Sequence, residues 1–272
     1  MPKQDSSFIE SDLEEVNSSF SEFITFLRDF IVILIIVFFI RIFIITPFQI
    51  NGESMKNSYY DKEFILVDKF SYLDFAQDMG DPTDSWLMST VTSFWQKIPI
   101  HMGDPVRGDV VVIKPHVDKT REHYIKRVIA LPGDIIKFES GSVYIQVKWS
   151  DTFVAIHEPY LSASNSGHTY LPDYVEGNQF LVPADTYWVM GDNRNNSADS
   201  RQCFQNCFWE GVDAHFIKRS NVVGRVLINF GYFHIFNEKS WSIDWGNIWW
   251  KPKPRFLSHP RQATYPELEN GN

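Results

Sequence analysis

Apolar positions fall into two regimes that divide the chain near residue 47. Ahead of it, Ile9, Leu13, Val16, Phe20, Phe23 and Leu27 recur at alternating spacings of four and three, one stripe of an α-helix within an acidic stretch over 1–29. The pattern then fills in. Phe30-Ile-Val-Ile-Leu-Ile-Ile-Val-Phe-Phe-Ile40 is uninterrupted, and only Arg41 breaks it before Ile42–Thr46. At about 1.5 Å per residue the segment 30–46 would span roughly 25 Å as a helix, and extension back to Phe23 reaches the ~30 Å of a hydrocarbon core. This predicts a transmembrane anchor with Arg41 snorkelling at one end. The leading region is acidic and no small-x-small cleavage site follows, so the segment reads as permanent rather than as a removed targeting peptide.

After Pro47 the period shortens to that of strands. Runs rich in β-branched and aromatic residues predict strands over Phe64–Val67, Asp109–Ile113, Tyr124–Ala130, Ile135–Phe138, Val143–Val147, Gln179–Val182, Tyr187–Met190 and Val222–Asn229. Pro132-Gly133-Asp134 marks a turn between two of them. The fold class is therefore mainly β: one N-terminal transmembrane helix, then an antiparallel β domain over 47–258. The region 139–185, richer in Ser, Asn, Gly and Pro, reads as an inserted smaller β hairpin or subdomain, and 259–272 as a polar tail. Trp241, Trp245, Trp249 and Trp250 fit either docking on lipid or ordinary core packing.

Charge narrows the function classes. The formal net charge of −9 offers no basic face to neutralise phosphates, which argues against nucleic acid. The two cysteines, Cys203 and Cys207, are too few for a disulfide scaffold and lack the second pair of a zinc site. In an oxidising compartment they would form a small local disulfide; otherwise they are two free thiols on a loop.

Three blocks carry candidate chemistry. In Gly52-Glu53-Ser54-Met55 the serine lacks the following glycine of a nucleophile elbow, because position 56 is Lys56, and lacks a lysine three residues on, because position 57 is Asn57. Lys126 sits in a strand-like context, where alternation puts Tyr124, Lys126 and Val128 on one face and Ile125, Arg127 and Ile129 on the other. One of the two cations must point inward or pair closely. The third block, Gly191-Asp-Asn-Arg-Asn-Asn-Ser-Ala-Asp-Ser-Arg201, is a charged turn region directly behind an apolar strand, a common place for function. Histidines cluster only over His101–His123, without the spacing of metal ligands.

Together these blocks, with Arg107–Ile113 and Asn221–Arg225, closely resemble type I signal peptidases, the Ser/Lys-dyad endopeptidases also called leader peptidases, over most of 41–230. The resemblance implies Ser54 as nucleophile and Lys126 as general base, a variant of the Ser-His-Asp arrangement. A lysine near its reference pKa of ~10.4 is protonated at pH 7, so burial would have to lower it by roughly three units at about 1.4 kcal/mol each. Ser197 would orient the Lys126 amine, Asp192 would pair with Arg127, and Asp199 and Arg201 would brace their loop. Met55 and Asn193 stand in the same blocks as supporting positions. Where some relatives place an oxyanion-donating serine this chain has Gly52, leaving that task to backbone N–H groups, chiefly that of Ser54.

The family's Ser-Met-x-Pro-Thr reads Ser54-Met55-Lys56-Asn57-Ser58, losing the turn proline. By the same resemblance, substrates are the signal peptides of exported preproteins, lipid and the protein export machinery are partners, and no cofactor or metal is needed. The enzyme would sit in the bacterial cytoplasmic membrane with its domain on the extracytoplasmic side. A count of flanking cations (Lys3 and Arg28 before the span; Arg41, Lys56, Lys62 and Lys69 after it) points the other way, but long domains largely escape that rule. A self-cleaving repressor would need a DNA-binding module where this chain has an apolar segment. A catalytically dead binding protein would have lost Ser54, Lys126 or Ser197. A specialised relative acting on a narrow substrate set remains an open reading.

Overall fold

A computed structural model describes residues 6–72, 102–115, 123–205, 214–231 and 265–269, and divides into two compact units, Met1–Ile44 and Ile45–Asn272. In the first, helix α1 runs over Ser6–Phe39 and ends in a wide π-type turn over Ile40–Ile44. The side chains of Phe30–Phe39 are exposed on every side of the helix.

No helix among the described residues is long and apolar enough to cross a membrane. The cause is local. Arg28 and Asp29, ion-paired at 2.8 Å, interrupt the apolar run at one end, and α-helical geometry stops at Phe39 at the other. The uninterrupted stretch Phe30–Phe39 rises only about 15 Å, half of a hydrocarbon core. The expected transmembrane helix over 30–46 is therefore corrected: Ile45 and Thr46 are not span but the start of a strand, β1 (Ile45–Gln49).

The remaining strands are β2 (Phe64–Asp68), β3 (Val110–Ile113), β4 (Tyr124–Ala130), β5 (Ile135–Glu139), β6 (Ser142–Gln146), β7 (Val154–Ala155), β8 (Gln179–Leu181), β9 (Thr186–Met190), β10 (Ile217–Lys218) and β11 (Val222–Gly231). Among the described residues every pairing is antiparallel. Seven strands form one sheet in the order β1-β2-β11-β3-β4-β9-β10, and four form a second, β7-β6-β5-β8. The mainly antiparallel β expectation stands. The smaller sheet opens with β5 at Ile135, ahead of the 139–185 boundary read from composition. Pro47 inside β1 is tolerated because β1 is the edge strand, where a missing N–H costs no ladder bond.

Three apolar clusters hold these sheets. Trp188 and Met190 of β9 pack with Ile136, Phe138, Ile145 and Phe180 of the smaller sheet, so that β9 is the seam between the two sheets. Val111, Ile113, Val128 and Val189 fill a second cluster. Met55, Ile65, Val67, Val110, Val112 and Val226 fill a third, which seats the turn after β1. A short helix, α2 (Pro266–Glu269), returns to the first cluster through Tyr265 and Leu268. The tryptophans of 241–250 lie outside the described residues.

Candidate active site

β4 is the strand on which the site is built. From Lys126 to Ala130 every residue is buried, since the larger sheet is covered on both faces there. Both cations forced into this strand are therefore inside, Lys126 at 1% exposure and Arg127 at 0%. They solve the problem differently.

Arg127 is neutralised. The register pairs it with Met190 of β9, which delivers Asp192 two residues further on. The two side chains form a two-pronged pair, Nε to Oδ1 at 2.9 Å and Nη2 to Oδ2 at 2.7 Å, while Nη1 donates to the Gly108 carbonyl at 2.8 Å. The guanidinium also lies 4.0 Å over the Tyr160 ring. This geometry satisfies a buried charge in the way such charges require.

Among the described residues Lys126 has no carboxylate partner. Its Nζ lies 2.8 Å from Ser54 Oγ and 3.0 Å from the Ile125 carbonyl. Burial lowers its pKa from 10.5 to about 8, with Asp199 and Asp192 pulling it back up and Arg201 pushing it further down. Near pH 8 the amine is thus half neutral, and a neutral amine holds the lone pair that a hydroxyl proton requires.

Ser54 is carried by a tight turn. Lys56 N donates to the Glu53 carbonyl at 3.0 Å, and Ser58 N and Tyr59 N to the Met55 carbonyl at 3.0 and 2.8 Å. Met55 is buried beneath the turn, and its Sδ accepts from Asp192 N at 3.4 Å. Asn193 grips the turn from the other loop: its N–H donates to the Ser54 carbonyl at 2.9 Å and its Nδ2 to the Glu53 carbonyl at 3.0 Å. Among the described residues no hydrogen bond occupies the Ser54 N–H, which leaves it free for a developing oxyanion. Gly52 takes φ +115, a backbone that favours glycine, and its N–H donates to Asp61 at 2.7 Å rather than pointing unpartnered at the site.

Gly191 is the point of closest approach between the two loops. A Cβ there would stand 2.4 Å from the Ser54 carbonyl oxygen and 2.2 Å from Ser197 Oγ. Behind it, Asp199 accepts the Gly191 N–H at 3.1 Å and is forked by Arg201 at 3.0 and 2.9 Å. Burial opposes the Asp199 charge, but the Arg201 guanidinium and these hydrogen bonds hold its pKa below the ordinary value. Ser197, expected against the Lys126 amine, is buried in the same corner beside Asp199; among the described residues the amine's hydrogen-bond partners are Ser54 and Ile125.

Two features escape the sequence reading. Arg194, in the same loop, is fully buried and pairs with Glu158 (Nη1 to Oε2 at 3.0 Å), Thr169 at 2.8 Å and the Gly191 carbonyl at 3.1 Å. Its acid lies 36 residues away in the smaller sheet's region, so no local pattern could reveal the pair. Asn57 adopts φ +89, a conformation closed to the proline of the resemblance, so the turn after Ser54 runs differently from a proline turn. Cys203 is disulfide-bonded; Cys207 lies outside the described residues.

The larger sheet curls until Phe48 of the edge strand meets His123, just ahead of β4, with ring centroids 5.2 Å apart. Inside the curl is a cleft of about 360 Å³ lined by Phe48, Ile50, Ile65, Val112 and Ile125, with Ser54 and Lys126 at one side. His123 belongs to this wall; partial burial and the nearby Lys114 and Lys69 lower its pKa below the ordinary imidazole value.

A family model described as signal peptidase, peptidase S26, matches residues 23–231. Signal peptidase I P of Bacillus subtilis subsp. natto is 32% identical over 186 residues, which cover 66% of this chain and 80% of its own. Signal peptidase I of Bacillus amyloliquefaciens is 31% identical over 193 residues, covering 69% and 82%, and signal peptidase I U of Bacillus subtilis 35% over 176 residues, covering 63% and 73%. The matched span contains the Ser54 turn, β4 and the Gly191–Arg201 loop. The chain belongs to the signal peptidase family, peptidase S26, and is a type I signal peptidase, a serine endopeptidase.

Proposed function

We propose that this peptidase removes signal peptides from exported preproteins by attack of Ser54 Oγ, with neutral Lys126 taking its proton. The observation that carries this reading is the 2.8 Å approach of a 1%-exposed lysine to the serine hydroxyl. On attack the hydroxyl proton passes to Nζ and the carbonyl oxygen gathers charge against the Ser54 N–H. The ammonium so formed then protonates the leaving amine, and the same lysine activates water to release the acyl group. Asp192, Asn193, Asp199 and Arg201 hold the two loops together and take no part in bond making. The apolar cleft beside the dyad fits small aliphatic side chains ahead of the cut.

Membrane association belongs to the same reading. The ring of apolar side chains over Phe30–Phe39 needs a cover other than water, and lipid supplies one for an enzyme whose substrates emerge from the bilayer. Cleavage of a preprotein by the full chain in detergent micelles, beside Ser54→Ala and Lys126→Ala, tests the chemistry. Both variants should lose at least about a thousandfold in kcat; a Lys126→Ala enzyme that keeps its rate would overturn the base assignment.

A further inference from the structure

The dyad is assembled from two separately folded pieces, the Ser54 turn and β4, and a 2.8 Å contact alone does not fix their spacing. Asn57, three residues after Ser54, makes a further contact out of the same turn. Its Nδ2 donates to the Tyr160 carbonyl at 2.6 Å. Tyr160 is itself immobilised: it is 2% exposed, its hydroxyl meets Glu158 at 2.6 Å and the Tyr265 hydroxyl at 2.9 Å, and its ring lies under the Arg127 guanidinium. Arg127 is the neighbour of Lys126 on β4. The path Asn57–Tyr160–Arg127 therefore ties the serine's turn to the lysine's strand by a second route, through the segment between β7 and β8.

We propose that Asn57 is a positioning residue, whose side-chain bond to the Tyr160 carbonyl sets the Ser54–Lys126 distance. The inference rests on the Ser54/Lys126 reading above. Two properties suit asparagine to the task. Its short amide side chain tolerates the left-handed backbone at φ +89 better than most residues do, and its Nδ2 is a donor where the Tyr160 carbonyl is the acceptor. Three other residues of the turn are fixed by backbone bonds, so a shift at Asn57 is passed to Ser54 rather than absorbed between them.

Two variants separate the tether from the backbone strain. Asn57→Gly keeps the left-handed conformation at no steric cost and deletes the donor; Asn57→Asp keeps size and shape and replaces the donor with an acceptor. Each should lower kcat about tenfold, because small misplacements of reacting groups are costly in rate. KM should stay within about twofold, since the cleft residues are untouched. In Asn57→Gly the pH at which activity half-develops should not move, because the burial of Lys126 and the charges around it are unchanged.

Rates are compared per folded molecule, with the folded fraction read from near-ultraviolet circular dichroism, and Ser54→Ala is run alongside. Wild-type kcat in either variant, or a loss confined to KM or to folded fraction, would overturn the proposal while an inactive Ser54→Ala leaves the dyad intact. An active Ser54→Ala would overturn the dyad itself.

Discussion

Lys126 and Arg127 are adjacent, equally buried and differently employed, and the contrast is physical. Arg127 meets a carboxylate in a fork with further hydrogen bonds, so its charge is retained; removing the arginine should cost about 3–5 kcal/mol by stranding Asp192. Denaturant unfolding of Arg127→Ala measures this. Lys126 is left to pay for its desolvation. A pKa of about 8 against an ordinary 10.5 corresponds to about 3 kcal/mol of instability. Because the folded value is the lower one, the penalty is complete below about pH 8 and disappears as pH climbs toward 10.5. Lys126→Met should thus be more stable than wild type at pH 7, by about 2–3 kcal/mol if packing is kept, and the gap should close by pH 10.5. Parallel unfolding curves across that range check the sign; a gap that widens with pH would contradict it.

At the scale of elements, the site exists because β9 runs beside β4 and its following loop folds back over the Ser54 turn. Gly191 is the hinge of that closure. A methyl group at Gly191 would collide with the Ser54 carbonyl, so Gly191→Ala should lower kcat/KM at least about a hundredfold while costing about 1–3 kcal/mol of stability. Steady-state kinetics with a thermal melt separates the two effects. These elements were largely legible in the sequence: strand periodicity predicts β4 with its observed limits, Tyr124–Ala130, and the motif blocks mark Ser54, Lys126 and Asp192.

What escaped did so for definable reasons. β1 is hidden because Ile45 and Thr46 continue the apolar run of α1, and hydropathy alone carries no sign of the change from helix to strand. Arg194–Glu158 and Asn57–Tyr160 join residues 36 and 103 positions apart, contacts that only the tertiary fold creates. The Ser197 hydroxyl, implied by resemblance to hold the lysine, is turned toward Asp199 and makes no hydrogen bond to the amine among the described residues, because the resemblance transfers residue identity and not rotamer.

For the whole molecule, two demands meet in one chain: a β scaffold that keeps an uncharged lysine dry, and an exposed apolar helix surface that water disfavours. The second predicts that the full chain floats with lipid vesicles. Replacing three of Ile33, Ile35, Ile36 and Val37 by serine should release it into the aqueous fraction, leaving cleavage of a short soluble peptide within about twofold, because none of these residues lines the cleft. Vesicle flotation and a peptide assay on the same preparations measure both halves. The first demand is the central one, since the chemistry needs a base that is neutral where a free lysine is not. The measurement that tests it most directly is the pH dependence of kcat/KM for peptide cleavage by the wild-type chain. The dyad account predicts a rate that rises tenfold per pH unit and levels off through an apparent pKa of about 8. A limb near 6.5 instead, or a rate already maximal at pH 6, would assign the base to a histidine and contradict the role of Lys126.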